Sequence, residues 1–157
     1  MKKKRVVIIS LLLLLVSVIG ISSYFLFKDK INLLDVGHSA VDWNGKKQKD
    51  TSGEENTIAI PGFEKVTLYA NETTQAVNFH NPEINDCYFK ISLIHPDGSV
   101  LWISDLIEPG KGMYSIELEK TLAVGEYENA VLKYECFSLN DQSPLNGSEI
   151  NLKLVVV

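Results

Sequence analysis

The sequence predicts a membrane-anchored all-β protein: one N-terminal transmembrane helix, then an antiparallel β-sandwich of seven to eight strands. Three observations predict it. Val6 to Phe27 is a run of twenty-two uncharged residues preceded by Lys2, Lys3, Lys4 and Arg5. From Thr57 to Val157 apolar residues alternate with a period of two between turn signals, the pattern of strands with one buried face. No stretch after residue 28 has the periodicity of an amphipathic helix. The expected organisation is a cytoplasmic basic tail at 1–5, a signal anchor at 6–27, a polar tether at 28–56 and an extracytoplasmic sandwich at 57–157.

A helix from Val6 to Phe27 covers roughly 33 Å at about 1.5 Å per residue, enough to cross the hydrocarbon of a bilayer. The apolar region of a cleaved signal peptide is shorter, about 7 to 15 residues, and ends in small residues. Here Gly20 and Ser22 sit inside the run, ahead of Tyr24, Phe25 and Phe27, and no Cys follows it as a lipid attachment point. An uncleaved anchor is therefore expected, with the basic residues keeping the N-terminus in the cytoplasm and the aromatic rings at the outer interface. The expected location is the cell membrane, single-pass, with the C-terminal part extracellular.

Charge is divided unevenly. Residues 1–49 carry nine Lys or Arg against three Asp, and residues 50–157 carry six Lys against seventeen Asp or Glu, balances of +6 and -11. An acidic distal part repels phosphate polymers, which excludes nucleic acid and favours a cationic protein partner, or simply solubility. Between anchor and sandwich, 28–56 is too polar to bury much surface. Leu33 to Val36 fits a short strand or turn against the domain. Trp43, in Asp42-Trp43-Asn44-Gly45, either docks on its own domain or marks a partner contact.

The strands follow in order. Thr57 to Ile60 leads into the Pro61-Gly62 turn; Val66, Leu68 and Ala70 alternate, as do Val77 and Phe79 before Asn81-Pro82. Cys87, Phe89, Ile91 and Leu93 share one face of a central strand. Pro96-Asp97-Gly98 sets a tight hairpin to Val100–Ser104. After Pro109-Gly110, Tyr114, Ile116 and Leu118 alternate; Ala130, Leu132, Tyr134 and Cys136 form one face of a long strand. A polar loop is expected from Ser138 to Ser148, with Asn140-Asp141 and Asn146-Gly147 as turns. Ile150 to Val156 closes the chain.

Leu122-Ala123-Val124-Gly125-Glu126-Tyr127 resembles the Leu-x-x-Gly-x-Tyr lead-in to the penultimate strand of immunoglobulin-like domains. The resemblance implies an immunoglobulin-like sandwich and a tyrosine corner at Tyr127, its hydroxyl bonding back to the turn. In that order Cys87 and Cys136 fall on neighbouring antiparallel strands, either as a disulfide closing a loop of about 50 residues or as two free core thiols.

Chemistry is sparse. His38, His80 and His95 have no metal spacing, no Gly-x-Ser-x-Gly elbow or Gly-rich phosphate loop occurs, and Glu117 with Glu119 fits a solvated strand face. No catalytic residue, metal or cofactor is expected. Ile60-Pro61-Gly62-Phe63, Asn81-Pro82-Glu83 with Asn85-Asp86-Cys87, Ser104-Asp105-Leu106-Ile107 with Pro109-Gly110-Lys111, and Leu145-Asn146-Gly147 resemble small signal-anchored surface proteins of Gram-positive bacteria. That resemblance implies an accessory part of an envelope or transfer apparatus. The expected function is binding of an unidentified protein or envelope partner through His80, Asn81, Glu83 and Asn85 in one loop and Asn140, Asp141 and Asn146 in another. Inhibition of a secreted hydrolase is the alternative, and an enzyme is not expected.

Overall fold

The computed structural model describes residues 34–45 and 57–157. The expected helix at 6–27, and 28–33 and 46–56 of the expected tether, lie outside the described residues. Within them the chain forms β1 (Val41–Asp42), β2 (Lys65–Leu68), β3 (Thr74–His80), β4 (Cys87–Ile94), β5 (Val100–Ile103), β6 (Lys111–Glu117), β7 (Gly125–Ser138) and β8 (Pro144–Val156). There is no helix among the described residues, and so none long and apolar enough to cross a membrane.

The strands make two sheets, one of three in the order β1-β6-β3 and one of five in the order β2-β8-β7-β4-β5. All pairings are antiparallel except β2 on β8, where Lys65 lies opposite Lys153 and Leu68 opposite Val156. Period-two alternation places Cys87, Phe89, Ile91 and Leu93 on the buried face of β4, and Ala130, Leu132, Tyr134 and Cys136 on that of β7. Phe79 of β3 and Met113 and Ile116 of β6 close the core from the smaller sheet. Aromatic rings fill the core: Phe79 of the smaller sheet stacks on Trp102 of the larger at 5.8 Å and meets Phe63 edge-on at 5.4 Å, while Phe89 and Tyr134 meet edge-on at 5.3 Å within the larger sheet. Each such side chain contributes about 1.5–3 kcal/mol by leaving water.

Three expected elements differ. Thr57–Ile60 alternates but is not a strand: the Ala59 N–H donates to Asn85 Oδ1 at 2.7 Å, and Asn85 Nδ2 donates to the Ala59 carbonyl at 2.9 Å. A side-chain amide has taken the place of a neighbouring backbone. Tyr114 is turned outward rather than sharing a face with Ile116 and Leu118, because β3 carries an irregularity between Ala76 and Phe79 opposite it. The loop expected at Ser138–Ser148 shrinks to 139–143, and Asn146 belongs to β8. Asn146-Gly147 marks no turn. Instead the register shifts between Tyr134 and Cys136, and a Cβ on Gly147 would stand 2.2 Å from the Tyr134 carbonyl oxygen, so only glycine lets the strands meet there.

Candidate functional site

Residues 34–45 are laid across the domain as a strap, within the stretch whose composition suggests a tether. Backbone bonds carry its first half: Leu106 N–H donates to the Asp35 carbonyl at 3.0 Å and Gly37 N–H to the Leu106 carbonyl at 2.8 Å. The Gln142 side chain grips Leu34 through both its amide oxygen and nitrogen, at 2.7 and 3.0 Å. In the second half, β1 pairs with the start of β6, Trp43 N–H donates to the Gly110 carbonyl at 2.9 Å, and Lys111 Nζ donates to Asp42 Oδ1. That ion pair lowers the Asp42 carboxyl below its ordinary range and raises the Lys111 ammonium above its own.

Trp43 fixes the strap. Its ring stacks on His80 with centroids 3.8 Å apart and planes 9° from parallel, and its indole N–H donates to Asn78 Oδ1 at 2.7 Å. Asn44 and Tyr114 exchange hydrogen bonds of 2.8 and 2.9 Å. The outward turn of Tyr114 and the β3 irregularity at Asn78 are what make these two anchors reachable. Gly112 leaves the space: a Cβ there would meet Trp43 Cδ1 at 2.8 Å, His80 Cβ at 2.9 Å and the Phe79 carbonyl oxygen at 2.9 Å.

Facing the strap is the loop 81–86, held by two buried amides. Asn81 Nδ2 donates to the carbonyls of Cys87 at 2.8 Å and Ile107 at 2.9 Å, while its Oδ1 accepts from Asn85 Nδ2 at 2.8 Å. Asn81 is 0% exposed and Asn85 4%, so neither presents its side chain to a partner as the sequence suggests. Their polarity is consumed in shaping the loop. His80 is likewise buried, beneath Trp43. Glu83 alone of the four expected contact residues in this loop is exposed, beside Ile84, which is 76% exposed.

Strap, loop and the turn before β6 enclose a cleft of about 770 Å³. Asp42 and Trp43 line it from the strap, Pro82, Glu83 and Ile84 from the loop, and Pro109, Gly110 and Lys111 from the turn, with Pro61 and His80 completing the lining. Its volume falls within the usual few hundred to about 1,000 Å³ of ligand sites. Among the described residues no three His, Cys, Asp or Glu side chains converge as a metal site.

The other expected residues lie apart from the cleft. Asn140 and Asp141 are exposed in the 139–143 loop, where Asp141 Oδ1 accepts from Ser143 N–H at 3.1 Å, and Asn146 is exposed on β8; none of the three lines the cleft. The Tyr127 hydroxyl donates to the Ala123 carbonyl at 2.9 Å, tying the lead-in turn to β7. Cys87 and Cys136 are free, buried thiols. Cys87 lies opposite Ser138 and Cys136 opposite Phe89, so the two are diagonal neighbours. Diagonal residues stand about 7–8 Å apart at Cα, beyond the roughly 4.4–6.8 Å that a disulfide usually spans. The neighbouring Cys87 side chain, together with burial, holds the Cys136 proton well above the usual thiol range.

Asp42, Ile84, Pro109 and Lys111 were not expected as contact residues, since none of them carries a recognition signal in isolation. One signal was available in Ile84, an apolar residue in an otherwise polar turn. No protein-family model matches the chain, and neither a curated protein nor a solved structure matches it.

Proposed function

We propose that the protein is a non-catalytic binding module, held outside the cell by the anchor at 6–27, whose immunoglobulin-like domain engages a protein or envelope partner at the cleft between strap and loop. The observation that carries this reading is a formed concavity whose walls are fixed by buried amides and a docked tryptophan, with an exposed Ile84 at its side. A surface prepared in this way binds without a large ordering cost. Strand order supports the immunoglobulin-like class: β2 runs parallel to the last strand, β8, and β3 with β6 forms the opposing sheet. The Tyr127 back-bond supports it too. Both cysteines lie on one sheet, so the usual inter-sheet bridge of antibody domains is replaced by aromatic packing of Phe63, Phe79 and Trp102. The envelope association rests on the sequence resemblance and on the charge asymmetry about the anchor.

The test is site-specific photo-crosslinking in the cells that make the full-length chain. A photoreactive residue at Ile84 should give a discrete adduct that disappears when Trp43 is replaced by Ala. The same probe at Val124, which is 72% exposed directly before β7 and outside the cleft lining, should give none. Equal adducts from the two positions, or none from Ile84, would remove the cleft as the recognition surface.

A further inference from the structure

We infer that the occupant of the cleft is an extended peptide segment that carries basic side chains beside apolar ones. The inference rests on the binding reading above and adds the chemistry of the partner.

The walls divide into two kinds. Pro61, Pro82 and Pro109 present rings without an N–H, and with Trp43 and Ile84 they offer apolar contact and little polar demand. The charged lining is Asp42, Glu83 and Lys111. Lys111 is committed to Asp42, and Glu108 adds a further negative charge beside it, so the cation already present is neutralised from within the domain. Glu83 is left as the carboxylate without a cation in this lining, its Cβ and Cγ lying 3.7 Å from where a Cβ on Gly110 would stand. The surrounding field has the same sign. Across 34–45 and 57–157 the sequence carries six Lys against sixteen Asp or Glu, a balance of -10. Cationic groups are drawn to such a surface and phosphate or carboxylate ligands are driven from it.

The form of the ligand follows from β1. This strand is at the outside of its sheet, and among the described residues nothing pairs with its far side. Asp42 belongs to both β1 and the cleft lining. An extended chain running along β1 therefore reaches backbone hydrogen bonds while alternate side chains enter the cleft, the strand-addition mode of peptide recognition. A compact small molecule would use the walls and leave that edge unused.

Two tryptophans make the test direct. Trp43 lines the cleft, whereas Trp102 is buried in the core. The full-length chain, labelled with 5-fluorotryptophan and held in uncharged detergent micelles, gives two fluorine resonances, assigned with Trp43→Phe. The probe is an amide-capped peptide of the repeat Lys-Pro-Leu-Gly, compared with its Glu-for-Lys counterpart. The basic peptide should move the Trp43 resonance saturably and leave that of Trp102 in place. Glu83→Lys should weaken it roughly fivefold, since reversal removes one exposed ion pair and adds a repulsion. If the acidic peptide binds as well, or Glu83→Lys changes nothing, the basic class is wrong while the cleft still binds. If neither peptide moves Trp43, both the class and the binding reading fall.

Discussion

Gly112→Ala puts the docking of Trp43 to a quantitative test. The added Cβ would stand 2.8 Å from Trp43 Cδ1 and 2.9 Å from both His80 Cβ and the Phe79 carbonyl oxygen. The last two are fixed by the backbone of β3, so the indole is the group that gives way. Displacing it breaks the bond from Nε1 to Asn78, about 1 kcal/mol net, and the stack on His80, about 0.5–1.5 kcal/mol. The strap should lose about 2 kcal/mol of docking free energy, up to a thirtyfold change in the docked-to-free ratio. Acrylamide quenching of the full-length chain reads this out, because Trp102 is shielded and Trp43 becomes open. The quenching constant should rise, and Gly112→Ala should cost clearly less when Trp43 is already Ala, since the contact with the ring is then absent and only those with His80 and Phe79 remain. Unchanged quenching, or costs that simply add, would refute the claim that Gly112 exists to seat the ring.

Three further predictions follow from the same geometry. Asn81→Ala removes three buried side-chain hydrogen bonds and should lower unfolding free energy in urea by about 3 kcal/mol, with some carbonyls left underbonded; a loss below about 1 kcal/mol would show that the loop does not depend on it. The Asp42–Lys111 pair should hold the strap between about pH 4 and pH 10. Asp42 is lowered, so its contribution is present above its unfolded value and is lost as pH falls through the lower folded one; Lys111 is raised, so its contribution is lost only as pH climbs past its folded value. Trp43 quenching should accordingly stay flat across that window and rise below it, and a midpoint near pH 6 would contradict the assignment. Iodoacetamide should modify neither Cys87 nor Cys136 in the native protein and both after denaturation; an intact mass lighter by two hydrogens would mean that the diagonal pair closes after all.

The β-rich class was legible because burial imposes a period of two, which β4 keeps from Cys87 to Ile91 and β7 from Ala130 to Cys136. Departures from sequence reasoning occur where a side chain replaces backbone. Asn85 pairs with Ala59 as a strand would, so alternation in Thr57–Ile60 signalled burial and not a ladder. Asn81, Asn85 and Asn146-Gly147 are turn-forming types, yet two of them are interior braces and the last pair sits within a strand at a register shift. Residue type gives the capacity to bond but not the partner, which for Asn81 is as distant as Ile107. Composition says less at 34–45, where little surface is buried: the strap is seated by the Trp43 ring over Gly112 together with the bonds of Leu34, Asp35, Gly37, Asp42 and Asn44 to distant residues. The cleft itself draws on four separated stretches, around Trp43, Pro61, Ile84 and Lys111, and only the fold brings these together.

The most direct measurement is of the contact on which cleft, strap and partner reading all depend. In the full-length chain, nuclear Overhauser spectroscopy on the Trp43 indole N–H should show cross-peaks to the Asn78 side-chain amide and to the His80 ring, at an indole shift away from that of a free tryptophan. Cross-peaks to water alone, at a free-tryptophan shift, would mean that the strap is undocked and that the cleft is not a standing feature of the protein.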